Sequence, residues 1–346
     1  MTEASAVFPD NHHRWAVILA GGDGIRLRPL TQLACGDNRP KQFCPLLGGQ
    51  TLLAQTQRRI SGTISSDRVL FALTKKHEPF YAKALEKVPA ARKIVQPATR
   101  GTLPAILWSL LRAVRLDRQA VVAFLPSDHH FAHESGFASA LNASFAHAEA
   151  NRESVVLLGA AANRPETEYG WIEPETASGG KWGDGASGVK RFWEKPSEQI
   201  AQRLFAQGCL WNTFVMVGAA DTFLGMVRRA SPAIFQTFED LLRDVDLLAE
   251  EERMQTLYMH LSASDFSKEV LSIRTSELAV TSCGDIGWSD LGDPGRFVAA
   301  LSAAGMEVPC NLAGFCNECS PKPQHSATSE GCVAPLFGTQ LHHQPL

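Results

Sequence analysis

From Trp15 onward the chain alternates short β-branched or apolar runs with longer stretches of helical period, and this rhythm restricts the fold more than any other feature. Strands joined by helices in this way pack as an α/β structure over a parallel or mixed sheet. The pattern predicts strands at residues 15–20, 69–74, 121–125 and 155–159, and helices at 51–60, 102–114 and 136–150. The helix at Thr102 carries a start signal. Thr102 can cap it, and Pro104 falls in the first turn, where its missing N–H costs nothing.

After about residue 165 the rhythm changes. Residues 169–174, a Gly-rich region through 188, and residues 189–192 read as antiparallel strands beside the first sheet. Helical pattern returns at 197–207 and across much of 221–254, followed by a strand-and-turn unit at 278–291 and a short helix at 294–303. Three parts are expected: a flexible stretch at 1–14, a folded domain at 15–306, and a loosely ordered tail at 307–346, rich in Cys, Pro, Gly, Ser and His. In that tail only Cys316 and Cys319 have the two-residue spacing of zinc ligands. No second matched pair joins Cys310, Cys332, His325, His342 and His343, so a zinc site is the weaker reading. Cys35, Cys44, Cys209 and Cys283 read as reduced thiols rather than a disulfide framework.

Hydrophobic residues fill 45% of the 346 positions, enough for a substantial core. The formal net charge of −3 shows no basic excess, which argues against nucleic acid as a partner and leaves room for a local basic pocket. No run reaches the roughly 18–20 apolar residues of a membrane span. The residues before Trp15 are polar, so a cytoplasmic protein without a membrane partner is expected. A homodimer is compatible with the sequence.

Two segments begin the chemistry. Ala20-Gly21-Gly22-Asp23-Gly24-Ile25-Arg26-Leu27-Arg28-Pro29-Leu30-Thr31 follows the first strand directly. Its glycines let backbone N–H groups surround phosphate oxygens, and Arg26 adds a permanently charged fork. Alone, a tight turn explains this segment about as well. It is not a P-loop, since no Gly-Lys-Ser/Thr follows. Arg39-Pro40-Lys41-Gln42-Phe43 then supplies a second cation, Lys41, near the same strand end.

Together these two segments resemble the sugar-1-phosphate nucleotidyltransferases, and Pro-Lys-Gln-Phe is similar to their mannose-1-phosphate guanylyltransferase branch. Four more segments match in the family's order, so the resemblance runs over residues 15–297. They are Gln96-Pro97-Ala98-Thr99-Arg100-Gly101-Thr102, Leu125-Pro126-Ser127-Asp128-His129, Arg191-Phe192-Trp193-Glu194-Lys195-Pro196 and Gly287-Trp288-Ser289-Asp290-Leu291-Gly292. The implied fold is a Rossmann-like, glycosyltransferase-A-like α/β domain: a mixed, mainly parallel sheet flanked by helices, with a small antiparallel sugar-binding subregion.

The resemblance also implies roles. Ala20, Gly21, Gly22, Gly24, Gln96, Thr99, Arg100, Gly101, Thr102 and Ser127 would meet the nucleotide. Gly170, Glu194 and Asn212 would meet the sugar, and Arg26, Lys41 and Lys195 would be catalytic cations. Asp128 and Asp290 would hold Mg²⁺, which prefers hard carboxylate oxygens; Asp128 also ends a strand, where open α/β sheets bind ligands. Taken singly, each Asp reads equally well as a cap or turn residue. The implied reaction joins GTP and mannose-1-phosphate to GDP-mannose and pyrophosphate by direct in-line attack on the α-phosphate. Another nucleotide or hexose-1-phosphate, or a non-catalytic sugar-nucleotide-binding homologue, remains an alternative. Four positions depart from the family pattern: Gln96 where Glu is common, Ile25 where a small hydroxyl residue is common, and Thr213-Phe214 where the family has Ser-Gly after Trp-Asn.

Overall fold

The structure is a computed structural model that describes residues 12–46, 49–175, 185–243, 245–303 and 305. The Cys-rich tail, the stretch before His12 and residues 176–184 of the Gly-rich region lie outside the described residues.

Four parallel strands form one half of a nine-stranded sheet: β1 (Arg14–Leu19), β2 (Val69–Thr74), β3 (Lys93–Gln96) and β4 (Val121–Pro126), in the order β3-β2-β1-β4. Side chains alternate across a strand. Trp15 and Val17 therefore enter the core on one face, and Ala16 and Ile18 enter the core on the other. The first face is covered by α4 (Thr102–Leu116), α7 (Ala220–Ala230), α8 (Pro232–Leu242) and α9 (Leu247–His260). The second is covered by α2 (Leu52–Ile60), α5 (Glu134–Ala150) and the short α3 (Glu78–Tyr81), which contributes Tyr81. Two smaller clusters lie outside these layers. In one, α1 (Arg28–Cys35) packs Leu30 with Phe297 and Leu301 of α10 (Pro294–Ala303); in the other, α6 (Glu198–Ala206) packs Ala201 and Leu204 with Trp171 and Trp211. No helix among the described residues is long and apolar enough to cross a membrane.

The expected mainly parallel, Rossmann-like sheet is not what forms. Beside β4 lies β9 (Leu210–Ala219), running antiparallel to it and to its other neighbour β6 (Val155–Ala161). The sheet continues through β10 (Leu278–Ser282), β8 (Ser187–Glu194) and β7 (Gly170–Pro174), and β7 pairs back onto β9. Strands β9-β6-β10-β8-β7 thus close a five-stranded barrel in which only the β6–β10 junction is parallel. The expectation failed on β9. Its first half reads as a pocket motif and its second as a generic apolar run, so neither its existence nor its direction shows in its own residues.

Strand β9 serves both halves because it bends. Residues 210–211 pair with β7, residues 216–219 pair with β4, and the register against β6 shifts between Leu157 and Gly159. Such irregularities kink a strand at a barrel rim. Here Phe214 takes a left-handed φ of 59°. Its N–H donates to Asn212 Oδ1 at 3.0 Å, while Thr213 Oγ1 donates to Leu158 O at 2.8 Å and accepts the Val215 N–H at 3.2 Å. A left-handed non-glycine residue costs about 1–2 kcal/mol, so the family's glycine has a physical use at this position. Phe214→Gly and Phe214→Ala lose the same ring packing, and glycine is expected to melt about 2–4 °C above alanine. Scanning calorimetry of the pair checks this; an alanine variant as stable as the glycine variant shows an unstrained bend.

Two helix details follow from packing. Thr102 does not cap α4: Gly101 occupies the cap at φ 84°, and Thr102 Oγ1 instead accepts the Phe266 N–H at 2.8 Å. Any Cβ at Gly101 would run into the Ser264 carbonyl, whose oxygen already accepts the Leu103 N–H at 3.2 Å. Helix α9 is tied to α4 by Glu250, 1% exposed, which accepts hydrogen bonds from Trp108 Nε1, Arg112 Nη2 and Arg115 Nη1. Cys35, Cys44, Cys209 and Cys283 are free thiols, and burial pushes Cys209 up to about 11 and Cys283 up to about 12.

Candidate active site

The glycine loop leaves β1 braced from inside the protein. Ala20 N–H donates to Ala72 O at 2.8 Å. Thr74 Oγ1 donates to Gly21 O at 2.9 Å, and Gln42 Nε2 donates to Ala20 O at 3.1 Å and Gly22 O at 2.8 Å. The carbonyls of Ala20, Gly21 and Gly22 thus all face protein donors. In a trans peptide the N–H of the next residue points the opposite way, which turns the amides of Gly21, Gly22 and Asp23 away from those donors. Gly21 has no room for a Cβ, which would press on Thr74 Oγ1 and Gln96 Nε2, and Gly24 holds φ 56° against Lys41. Gln42 was not singled out by its sequence; it sits beside the predicted Lys41 and does the bracing.

Two turns far apart in the chain meet across a short ribbon. Strand β5 (His130–Phe131) pairs antiparallel with β11 (Trp288–Ser289), and Gly287, at φ 60°, lies against Ala132. Asp128 stands just before the first strand and Asp290 just after the second. Both line one cleft of about 460 Å³ with Gly24, Arg26, Lys41 and His129. Lys41, 8% exposed at its side chain, lies between them: Nζ is 3.3 Å from Asp128 Oδ2, donates to Leu291 O at 3.1 Å, and donates to Asp290 O.

Asp290 is the more committed carboxylate. It accepts from Arg296 Nη1 at 3.0 Å, from the Gly292 N–H at 2.8 Å and from Tyr169 Oη at 3.2 Å. Burial alone would raise its pKa, but the Arg296 and Lys41 cations outweigh burial and hold it below the usual carboxylate value. Arg296, on α10, was not foreseen; it also pairs with Glu166 at 3.3 Å. His129 is pushed down by burial, against the pull of Asp128. Its Nδ1 accepts from Trp288 Nε1 at 3.2 Å. The neutral ring's proton therefore sits on Nε2, 3.8 Å from Asp128 Oδ1.

The three residues expected to meet the sugar, Gly170, Glu194 and Asn212, also come together. A Cβ on Gly170 would sit 3.1 Å from Glu194 Oε2 and 3.3 Å from Asn212 Cβ. Burial, together with Asp265, pushes the Glu194 carboxyl up, against the pull of Lys195. Lys195 itself takes φ 48°, and Leu291, whose carbonyl holds Lys41, takes φ 47°. With Phe214 these are the left-handed non-glycine residues among those described, and all three border this region. Such backbone strain concentrates at functional sites.

The remaining predicted nucleotide residues are not among those that line this cleft. Gln96, 3% exposed, donates to Leu73 O at 3.2 Å and accepts from Tyr258 Oη at 3.2 Å. Ser127 Oγ donates to Leu19 O at 2.8 Å, stitching the ends of β4 and β1. Arg100 Nε donates to Tyr258 O at 3.0 Å, Thr99 is exposed, and Gly101 and Thr102 pack on residues 264–266. Arg191, from the predicted clamp segment, lies over the Trp193 ring at 4.4 Å and borders a separate surface pocket.

The sequence model of the family described as "Nucleotidyl transferase" matches residues 15–305. The chain belongs to the nucleotidyl transferase family. The chain is 30% identical over 279 residues to the xanthan biosynthesis protein XanB of Xanthomonas campestris, covering 80% of this chain and 57% of that one. It is 30% identical over 288 residues to the mannose-1-phosphate guanylyltransferase of Escherichia coli, covering 80% of this chain and 58% of that one. It thus spans somewhat more than half the length of these relatives. A solved structure from Thermus thermophilus, described as a mannose-1-phosphate geranyltransferase, superposes with a TM-score of 0.71 at 28% identity, over 86% of this chain and 80% of that one.

Among the described residues no group of three or more His, Cys, Asp or Glu side chains gathers to cage a metal. Asp128 and Asp290 on one cleft nevertheless suit Mg²⁺, which commonly takes one or two carboxylates from a protein and fills its octahedron with water and substrate phosphates.

Proposed function

We propose that this nucleotidyl transferase condenses GTP with mannose-1-phosphate. A phosphate oxygen of the sugar attacks the α-phosphorus of GTP, the bond from that phosphorus to the bridging oxygen breaks, and pyrophosphate leaves. The observation that carries the reading is the shared cleft: the glycine loop, Arg26 and Lys41 meet Asp128 and Asp290 in one place. Both reactants are anionic, so the protein's work is to suppress their repulsion, hold them in line and stabilise the transferring group. In this reading the Gly21, Gly22 and Asp23 amides and Arg26 receive the triphosphate, Lys195 orients the attacking phosphate, and Glu194 and Asn212 engage sugar hydroxyls. Asp128 and Asp290 would hold Mg²⁺, which supplies charge neutralisation at the phosphates. The base and sugar rest on the Pro-Lys-Gln-Phe segment and on the names of relatives at 30% identity.

The test is a substrate profile: four nucleoside triphosphates against several hexose-1-phosphates, reading pyrophosphate release. GTP with mannose-1-phosphate is expected to exceed every other pair in kcat/KM by about tenfold or more. A different best pair reassigns the substrates, and tight binding without pyrophosphate release points to a non-catalytic homologue.

A further inference from the structure

Glu168 stands between two cations that come from distant segments. Arg26 Nη1 of the glycine loop donates to its Oε2 at 3.4 Å, and Lys195 Nζ lies 3.9 Å from the same oxygen. The backbone under Glu168 is anchored. Its N–H donates to Glu166 Oε1 at 3.0 Å, and that oxygen is also 3.3 Å from Arg296 Nη2. Trp171 Nε1 donates to Glu166 O at 2.7 Å, and the next residue after Glu168, Tyr169, reaches Asp290 Oδ1. The loop is thus tied to the acidic side of the cleft, while the Glu168 carboxylate remains half exposed and open to exchange.

We propose that Glu168 is a resident anion: its carboxylate occupies the position between Arg26 and Lys195 that a phosphoryl group of the ligand takes over. This deepens the reading above, because it rests on Arg26 and Lys195 as phosphate-binding groups. A guanidinium and an ammonium facing one carboxylate oxygen cannot give full charge-assisted bonds to a second anion in the same place. An arriving phosphate must therefore displace Glu168 or accept its repulsion at close range. The carboxylate sets an affinity threshold. Ligands with many phosphate contacts pass it, whereas inorganic pyrophosphate is held weakly and released.

The experiment uses inorganic pyrophosphate alone, titrated calorimetrically into the full chain, its Glu168→Gln, Arg26→Ala and Arg26→Ala/Glu168→Gln variants. Glutamine keeps the shape and removes the charge. Glu168→Gln is expected to tighten pyrophosphate binding by about tenfold, with the gain abolished in the double variant and reduced at about 0.5 M salt, where the Debye length is only a few Å. Weaker, equal or undetectable binding in Glu168→Gln overturns the proposal, because a carboxylate that merely positions Arg26 and Lys195, or itself contacts the ligand, gives that result. A gain that persists in the double variant overturns it as well. Unchanged affinity in Arg26→Ala removes the phosphate role of Arg26 and the proposal with it. The probe carries neither base nor sugar, so these outcomes are independent of whether GTP and mannose-1-phosphate are the substrates.

Discussion

Asp128→Ala is expected to lower kcat/KM by about 10²–10⁴, on the order of 3–5 kcal/mol of transition-state stabilisation, while the protein stays folded. The carboxylate is 28% exposed and lies on the turn after β4, so its removal opens no core cavity. What it removes is the negative partner of Lys41 and one of the two carboxylates on the cleft, with Asp290, that the ribbon of β5 and β11 brings together. Asp128→Asn separates charge from shape. It keeps a hydrogen-bond acceptor near Lys41 and is expected to melt with the wild type, yet to lose activity nearly as severely as alanine. Steady-state pyrophosphate release on both variants, alongside their thermal unfolding, decides the matter. Activity within about threefold of wild type in both would mean that Asp128 is a turn residue.

The largest expected effect on stability lies away from the cleft. Glu250→Ala strands the buried Arg112 and leaves Trp108 Nε1 without its acceptor, between helices α4 and α9. Breaking a buried pair by removing one partner costs about 3–5 kcal/mol, roughly 6–20 °C of melting temperature for a chain of this size. Glu250→Gln keeps an acceptor and is expected to lose less. Converting Glu250 and Arg112 together to methionine is expected to recover part of the loss, because the stranded charge goes with its partner. Urea unfolding of the set measures these differences; a loss under about 1 kcal/mol in Glu250→Ala would place the cluster with exposed ion pairs that contribute little.

The parallel half of the sheet was legible because a strand buried on both faces must be apolar at every position, and β1, β2 and β4 are very nearly so. Strand β3 has four residues and begins with Lys93, too short for such a signal. The barrel was not legible. Closing it depends on the bend at Phe214 and on which neighbours β9 takes, and those are set by packing between segments far apart in the chain. The same division holds in the cleft. Arg26, Lys41, Asp128 and Asp290 sit in short motifs on turns and loops, where a few residues carry both position and chemistry. Arg296 sits on a helix and Glu168 on a connecting loop, and neither has a local pattern to distinguish it from a surface charge. Their partners, Asp290 for one and Arg26 with Lys195 for the other, become visible only when the chain is folded.

Because β7 returns to β9, the nine-stranded sheet has, among the described residues, one open end, at Lys93–Gln96. Unpaired strand margins are where misfolded chains template one another into aggregates. Here that template is four residues long and starts with a lysine, a charge that discourages stacking. The closure of the barrel thus also leaves the described sheet little open edge through which copies of the chain could pair.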